Sequence, residues 1–212
     1  ASNVAVPNGV VMISPSATSP GLTALDDKGF FFRTAPSDAR GGQILADITK
    51  DRKIKSVAIT YTNNDYGKGL ADVYEAAVKA HGIKVTTVSA HEDGKADYSS
   101  EVATLASAGG DAVAVIGYLD QGGKGIIQGS LDSGAFDKFI LSDGMIGDSL
   151  TEAFGKDLNK SFGSIPGSMN KKTAGTFASV AKAAGIDSSG PYTGESYDAA
   201  ALIVLAMQAG GS

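Results

Sequence analysis

Apolar and polar positions along the chain follow two alternating patterns. Short, nearly continuous apolar runs rich in β-branched residues predict strands at "SVAITYT" (56–62), "IKVTTVS" (83–89), "DAVAVIG" (111–117) and "KFILSDG" (138–144). A further run, Gly9 to Ile13 in "GVVMISPSATSPGLT", reads as a buried parallel strand, and Ser161 to Ile165 as one more. Between the runs, apolar residues recur at helical spacing. Asp65 caps a helix to about Ala80 with Leu70, Val73, Tyr74, Ala77 and Val78 on one face, and Gly82 stops it. Asp97 caps another through about Ser107, striped by Tyr98, Val102, Leu105 and Ala106. Helices are also expected over 121–133, 149–154, 173–184 and 195–208.

Strands separated by helices of this length pair in parallel through right-handed crossovers, which predicts a doubly wound α/β fold. The strand–helix units are complete over residues 36–165. The flanks, 1–35 and 166–212, supply one or two strands and two helices, and read as parts of a second, incomplete domain.

Composition narrows the chemistry. The 212 residues are 42% hydrophobic and 19% charged, enough for a packed core. A net charge of -5 with no basic run longer than Lys171-Lys172 argues against a nucleic-acid partner. No apolar stretch is long enough to span a bilayer. Ala1-Ser2-Asn3 leads into fold-like sequence with no signal peptide, so a cut N-terminus is expected. With no cysteine and only His81 and His91, thiol nucleophiles, disulfides and Cys-based zinc sites are excluded, and no cofactor or metal is expected. His81 reads as a helix C-terminal residue and His91 as the start of the polar run His91-Glu92-Asp93-Gly94-Lys95, both structural or exposed. No G-x-S-x-G elbow occurs. "GYLDQGGK" (117–124) resembles a phosphate loop, but its glycine spacing is off by one and Gly125 stands where Ser or Thr should be.

Ligands of parallel α/β sheets bind beyond the carboxyl ends of the strands. Those ends here carry Ser16 and Thr18, Tyr66, Tyr118 and Asp143. Hydroxyls, two aromatics and a carboxylate suit a ligand bearing both charges, such as an amino acid. Each has a plainer alternative. Asp143-Gly144 is a common turn pair, Tyr66 a first-turn helix residue and Tyr118 a rim aromatic. Ser16 and Thr18 can cap the helix after Pro20, and Tyr192 is a loop aromatic.

Taken together, "VVMISPSATSPGLT", "FFRTAPSDARGG", "SVAITYTNNDYGKGLA", "DYSSEVATLASAGGDAVAVIGY" and "GESYDAAALIVLA" resemble the Leu/Ile/Val-binding family. These are type I periplasmic solute-binding proteins of branched-chain amino acid ABC transporters. The resemblance covers nearly the whole chain in the family's order. It implies two α/β lobes that are joined by crossover strands and close over a ligand, with "FFRTAPS" (31–37) and "SFGSIPGS" (161–168) as two of the crossovers. It assigns Ser16 a backbone carbonyl for the ligand ammonium, and Thr18 an N–H and hydroxyl for its head group. Tyr66 and Tyr118 become aromatic contacts of the complete lobe, Asp143 the ammonium anchor and Tyr192 part of the side-chain pocket. The family often carries Glu in place of Asp143, and the shorter side chain leaves ligand size open.

The expected function is reversible capture of a small aliphatic amino acid, with no catalysis, in the periplasm. Delivery would be to a membrane permease. A ligand-sensing regulatory domain of the same fold is the alternative, as is a receptor for amides or aromatic acids. An enzyme built on Asp143 and Tyr118 would lack a second nearby carboxylate. Leu202, Ile203, Leu205 and Met207 on the last helix predict self-association of the isolated chain.

Overall fold

The computed structural model describes residues 1–167 and 171–211, so Ser168, the last residue of the expected 161–168 crossover, lies outside the described residues. The backbone separates into two units, residues 38–165 and residues 1–37 with 166–212.

The larger unit is a five-stranded, wholly parallel sheet in the order β4-β3-β5-β6-β7. Its elements are α1 (Asp38–Asp51), β3 (Ser56–Thr62), α2 (Asp65–Ala80), β4 (Lys84–His91), α3 (Ser99–Ala108), β5 (Ala112–Ile116), α4 (Gly123–Asp132), β6 (Phe139–Leu141), α5 (Asp148–Phe154) and β7 (Phe162–Gly163). Strand side chains alternate between two cores. Val57, Ile59, Ala112, Ala114, Ile116 and Ile140 pack with Leu45, Ala46, Leu70, Tyr74 and Val78 of α1 and α2. Ala58, Val113, Val115, Phe139 and Leu141 pack with Tyr98, Leu105, Ile126 and Ile127 from the other face. Covering both faces removes the need for polar alternation, which is why these strands read as unbroken apolar runs. Each large side chain so buried contributes about 1.5–3 kcal/mol.

Several local expectations are corrected. Asn64, not Asp65, caps α2: its extended backbone aims the side-chain carbonyl at the Gly67 N–H, 2.9 Å away. Asp97 accepts from the Ser99 N–H at 2.9 Å and hydroxyl at 2.6 Å, ahead of a helix that starts at Ser99. The second strand runs on to His91, which is buried in the sheet rather than opening a surface run. Helix α1 is an addition. Its buried residues are Asp38, Gly42, Leu45, Ala46 and Thr49, so small and polar positions share its inner face with one large apolar side chain.

The smaller unit holds β1 (Met12–Ser14) and β2 (Phe31–Arg33), paired in parallel, with α6 (Lys171–Ala183) and α7 (Thr193–Gly210). The run expected as a buried strand from Gly9 is paired only from Met12, and Val10 and Val11 are exposed. Gly9 closes a 3-10 turn in the left-handed conformation (φ 65°), which breaks the extension before Met12. The expected helix after Pro20 is a 3-10 turn, Pro20–Ala24. The Phe177 and Tyr197 rings of α6 and α7 lie 5.5 Å apart. Leu202, Ile203, Val204, Leu205 and Met207 of α7 are exposed.

A β-carbon on Gly67, in the first turn of α2, would overlap the Thr62 carbonyl oxygen, a backbone atom that cannot swing aside. Gly67→Ala is therefore expected to destabilise the protein by about 1–3 kcal/mol. The readout is a lowered urea midpoint at unchanged slope.

Candidate functional site

The chain leaves β3 through α2 to reach β4 on one side, then returns across β3 to β5 on the other. The strand order therefore reverses between β3 and β5, and the crevice beyond their carboxyl ends is where such sheets take ligands. Tyr66 follows β3 in the first turn of α2, and Tyr118 follows β5. Their rings lie 5.3 Å apart at 31°. Asp143 follows β6 in a 3-10 turn, Asp143–Met145.

One hydrogen-bonded chain joins these strand ends. The Gly117 N–H donates to Ser142 Oγ at 3.2 Å, and Ser142 Oγ lies 3.0 Å from the Tyr66 hydroxyl. The Tyr66 hydroxyl donates to Asp143 Oδ1 at 2.7 Å and accepts from the Gly144 N–H at 3.4 Å. Tyr66 has one proton and gives it to Asp143, so Ser142 Oγ, which accepts from Gly117, donates in turn to Tyr66. Burial first, then the Asp143 charge, drives the Tyr66 hydroxyl far above the usual tyrosine range, so it remains a donor. Burial also raises Tyr118. The aspartate thus has a protein partner of its own and is held in one orientation by a charge-assisted bond. A β-carbon on Gly144 would overlap the Gly117 carbonyl oxygen, so the turn carrying Asp143 sits directly on the end of β5.

Asp38, buried in the first turn of α1, lies close enough to raise both tyrosines electrostatically. Its signal in sequence was the Ser37-Asp38 pair opening a helix that the sequence reading did not assign. Among the described residues, no group of three or more His, Cys, Asp or Glu side chains could hold a metal ion. No helix among them is long and apolar enough to cross a membrane.

In the smaller unit, the turn after β1 is closed by Ser14, not by Ser16 or Thr18. Ser14 Oγ accepts from the Ala17 N–H at 3.1 Å and the Ser16 N–H at 3.4 Å. Ser16 is exposed, whereas Thr18 is 2% exposed with a hydroxyl that has no partner. An unmet buried hydroxyl is costly, by about 1–3 kcal/mol, and is what a ligand group would relieve. Arg33, not singled out by sequence, clamps the turn: its guanidinium donates to the carbonyls of Ser19 at 2.8 Å and Ala17 at 3.2 Å, and to Thr23 Oγ1 at 2.6 Å. Tyr192 stands at the N-terminus of α7 with a left-handed backbone (φ 64°). Nearby, Thr34 Oγ1 donates to the Glu195 carbonyl at 2.8 Å.

A parallel α/β sheet with polar and aromatic groups gathered at its topological switch defines a small-molecule binding fold. Residues 1–212 match the family described as "Periplasmic binding protein", and the chain belongs to it, with the type I fold. It is 31% identical over 219 residues to "Leu/Ile/Val-binding protein homolog 1" of Brucella melitensis, covering 100% of this chain and 57% of that one. The leucine binding protein of Thermotoga maritima superposes with a TM-score of 0.75 at 21% identity, over 99% of this chain and 60% of its own. A solute-binding protein of an R. palustris ABC transporter, solved with 4-hydroxybenzoate, gives 0.77 at 16% identity, over 95% and 56%. The chain thus spans less than two thirds of the length of these relatives.

The chain has seven tyrosines, and burial lifts Tyr66 and Tyr74 furthest. In an alkaline absorbance titration both should stay un-ionised at least one unit beyond the ordinary value of about 10. Tyr66→Phe should leave the amplitude below that point unchanged. A lost fraction there would mean that Tyr66 ionises normally.

Proposed function

We propose that this chain is the ligand-binding part of an extracytoplasmic receptor. It captures a small amino acid, branched-chain or otherwise aliphatic, and releases it unaltered to the membrane permease of an ABC transporter. The observation that carries the reading is Asp143, a carboxylate oriented by Tyr66 beside the Tyr66–Tyr118 ring pair. A negative charge next to apolar ring faces complements an ammonium group that carries an aliphatic side chain. Reversible capture needs no nucleophile or general base. The names of the curated relatives, Leu/Ile/Val-binding proteins, agree with this ligand class. The resemblance adds Ser16 and the unmet hydroxyl of Thr18 as head-group contacts, and Tyr192 as a pocket aromatic.

A second reading, a receptor for aromatic acids, draws on the tyrosine pair and on the 4-hydroxybenzoate carried by one structural neighbour. Asp143 weighs against it, because an aromatic acid brings a carboxylate and no cation to meet the aspartate. Self-association of the isolated chain rests on the exposed apolar residues of α7. A sedimentation run at high concentration should find dimers or larger species, and a clean monomer would count against it.

Asp143→Asn keeps the shape and the acceptor for Tyr66 but removes the charge. Breaking a buried charge pair costs about 3–5 kcal/mol. At about 1.4 kcal/mol per decade, leucine affinity of the complete protein should fall by roughly two to three orders of magnitude. Calorimetry with leucine, valine and 4-hydroxybenzoate separates the readings. Unchanged leucine affinity would remove Asp143 from the site, and tighter 4-hydroxybenzoate binding by the variant would favour the aromatic-acid receptor.

A further inference from the structure

His91 is the last residue of β4, an edge strand of the larger sheet, and is 1% exposed. Its Nδ1 is 2.9 Å from Thr60 Oγ1 on β3, and its Nε2 is buried with no hydrogen-bond partner. The edge that carries Nε2 faces Gly117 at the end of β5. A β-carbon built on Gly117 would lie 3.0 Å from Nε2 and 3.5 Å from Thr62 Cβ, so the imidazole fills the space a side chain there would need. On its other side Gly117 donates to Ser142 and supports Gly144, as described above. One residue without a side chain is therefore wedged between the imidazole and the turn that bears Asp143.

We propose that His91 is a positioning residue for the binding site. Its neutral ring braces Gly117 and, through Ser142 and Tyr66, holds Asp143 in its binding orientation. The proposal rests on the reading of Asp143 and Tyr66 as the head-group contacts. In the neutral ring one nitrogen serves Thr60, and the other needs no acceptor if it carries no proton. Protonation places an N–H at Nε2, against Gly117, where nothing accepts it. The ring must then turn away or Gly117 must move, and either loosens the brace.

The surroundings set the direction of this dependence. β3 contributes only the hydroxyls of Thr60 and Thr62, and Gly117 contributes no charge. Asp93, held by the Thr62 hydroxyl at 2.6 Å, and Glu92 lie just beyond the strand. From α3 come Glu101, ion-paired with Lys95, and before it Tyr98, whose ring meets the imidazole edge-on with centroids 6.3 Å apart. Burial pushes the imidazole below its ordinary 6.5, against the opposing pull of Asp93, Glu101 and Glu92. A folded-state value below the unfolded one means that the unfolded chain protonates first. The stability that His91 contributes is therefore full above 6.5 and is lost as pH falls from there through the folded value. Binding should weaken over the same acid range, where the carboxylate of free leucine is still ionised.

The test uses the complete protein, with leucine titrated by calorimetry at about pH 7.5 and about pH 5. Wild type should bind more weakly at the lower pH. His91→Asn keeps a group at the Nδ1 position for Thr60 and removes the Nε2 edge. It should bind several-fold more weakly at the higher pH, with little further change at the lower. In ligand-free protein the Gly117 amide resonance should shift with the His91 ring titration, and His91→Asn should abolish that shift. An undiminished pH ratio in His91→Asn overturns the proposal, as does a Gly117 amide that ignores the ring titration. If Asp143→Asn binds leucine normally, or wild type binds none, the reading of the site fails instead. The Gly117 resonance then decides the brace alone, since it needs no ligand.

Discussion

The bond from the Tyr66 hydroxyl to the Asp143 carboxylate spans 77 positions of sequence, and it forms only if β3, β5 and β6 stand in the right order and register. Asn64 must start α2 one residue after the end of the Thr62–Asn63 corner, so that Tyr66 falls on the first turn. Gly144 must lack a side chain for its turn to rest on the end of β5. Ser142 must reach both Gly117 and Tyr66. Each of these is a small local choice, and together they convert a flexible surface aspartate into an oriented charge. A carboxylate fixed in this way loses little freedom when a cation arrives.

Much of the larger unit was legible because its strands are covered on both faces. After Asp111, "DAVAVIG" has no polar position to confuse the pattern, and β5, Ala112–Ile116, lies at the centre of the sheet. The residues that sequence placed at strand ends, Tyr66, Tyr118 and Asp143, do follow β3, β5 and β6, since chain order alone dictates what comes after a strand. What was not legible depends on contacts between distant segments. His91 opened an apparently polar run, yet pairing with Thr62 of β3 carries it into the sheet. Helix α1 packs through Gly42 against Val73 of α2, a close approach that needs a missing side chain rather than an apolar one.

The glycines of the 117–125 segment illustrate the same point. Read as a motif they resembled a phosphate loop. In the fold, β-carbons on Gly122 and Gly125 would lie 2.6 Å from atoms of the Tyr98 side chain. Tyr98 itself is tied down by the carbonyls of Glu92 and Gln121, at 2.9 and 2.8 Å from its hydroxyl. Gly122 and Gly125 make room for a ring that locks α3 against the start of α4, and the spacing of those two is set by that ring.

The Arg33 clamp on the turn after β1 bears on kinetics. Three hydrogen bonds from one planar guanidinium hold the segment from Ala17 to Thr23 in a single arrangement. A ligand group that reaches Thr18 therefore meets a surface whose ordering was completed when the protein folded. Arrival requires no slow rearrangement of that segment, so association should differ little from one solute to the next. Discrimination among solutes of similar size then falls to how long each one stays.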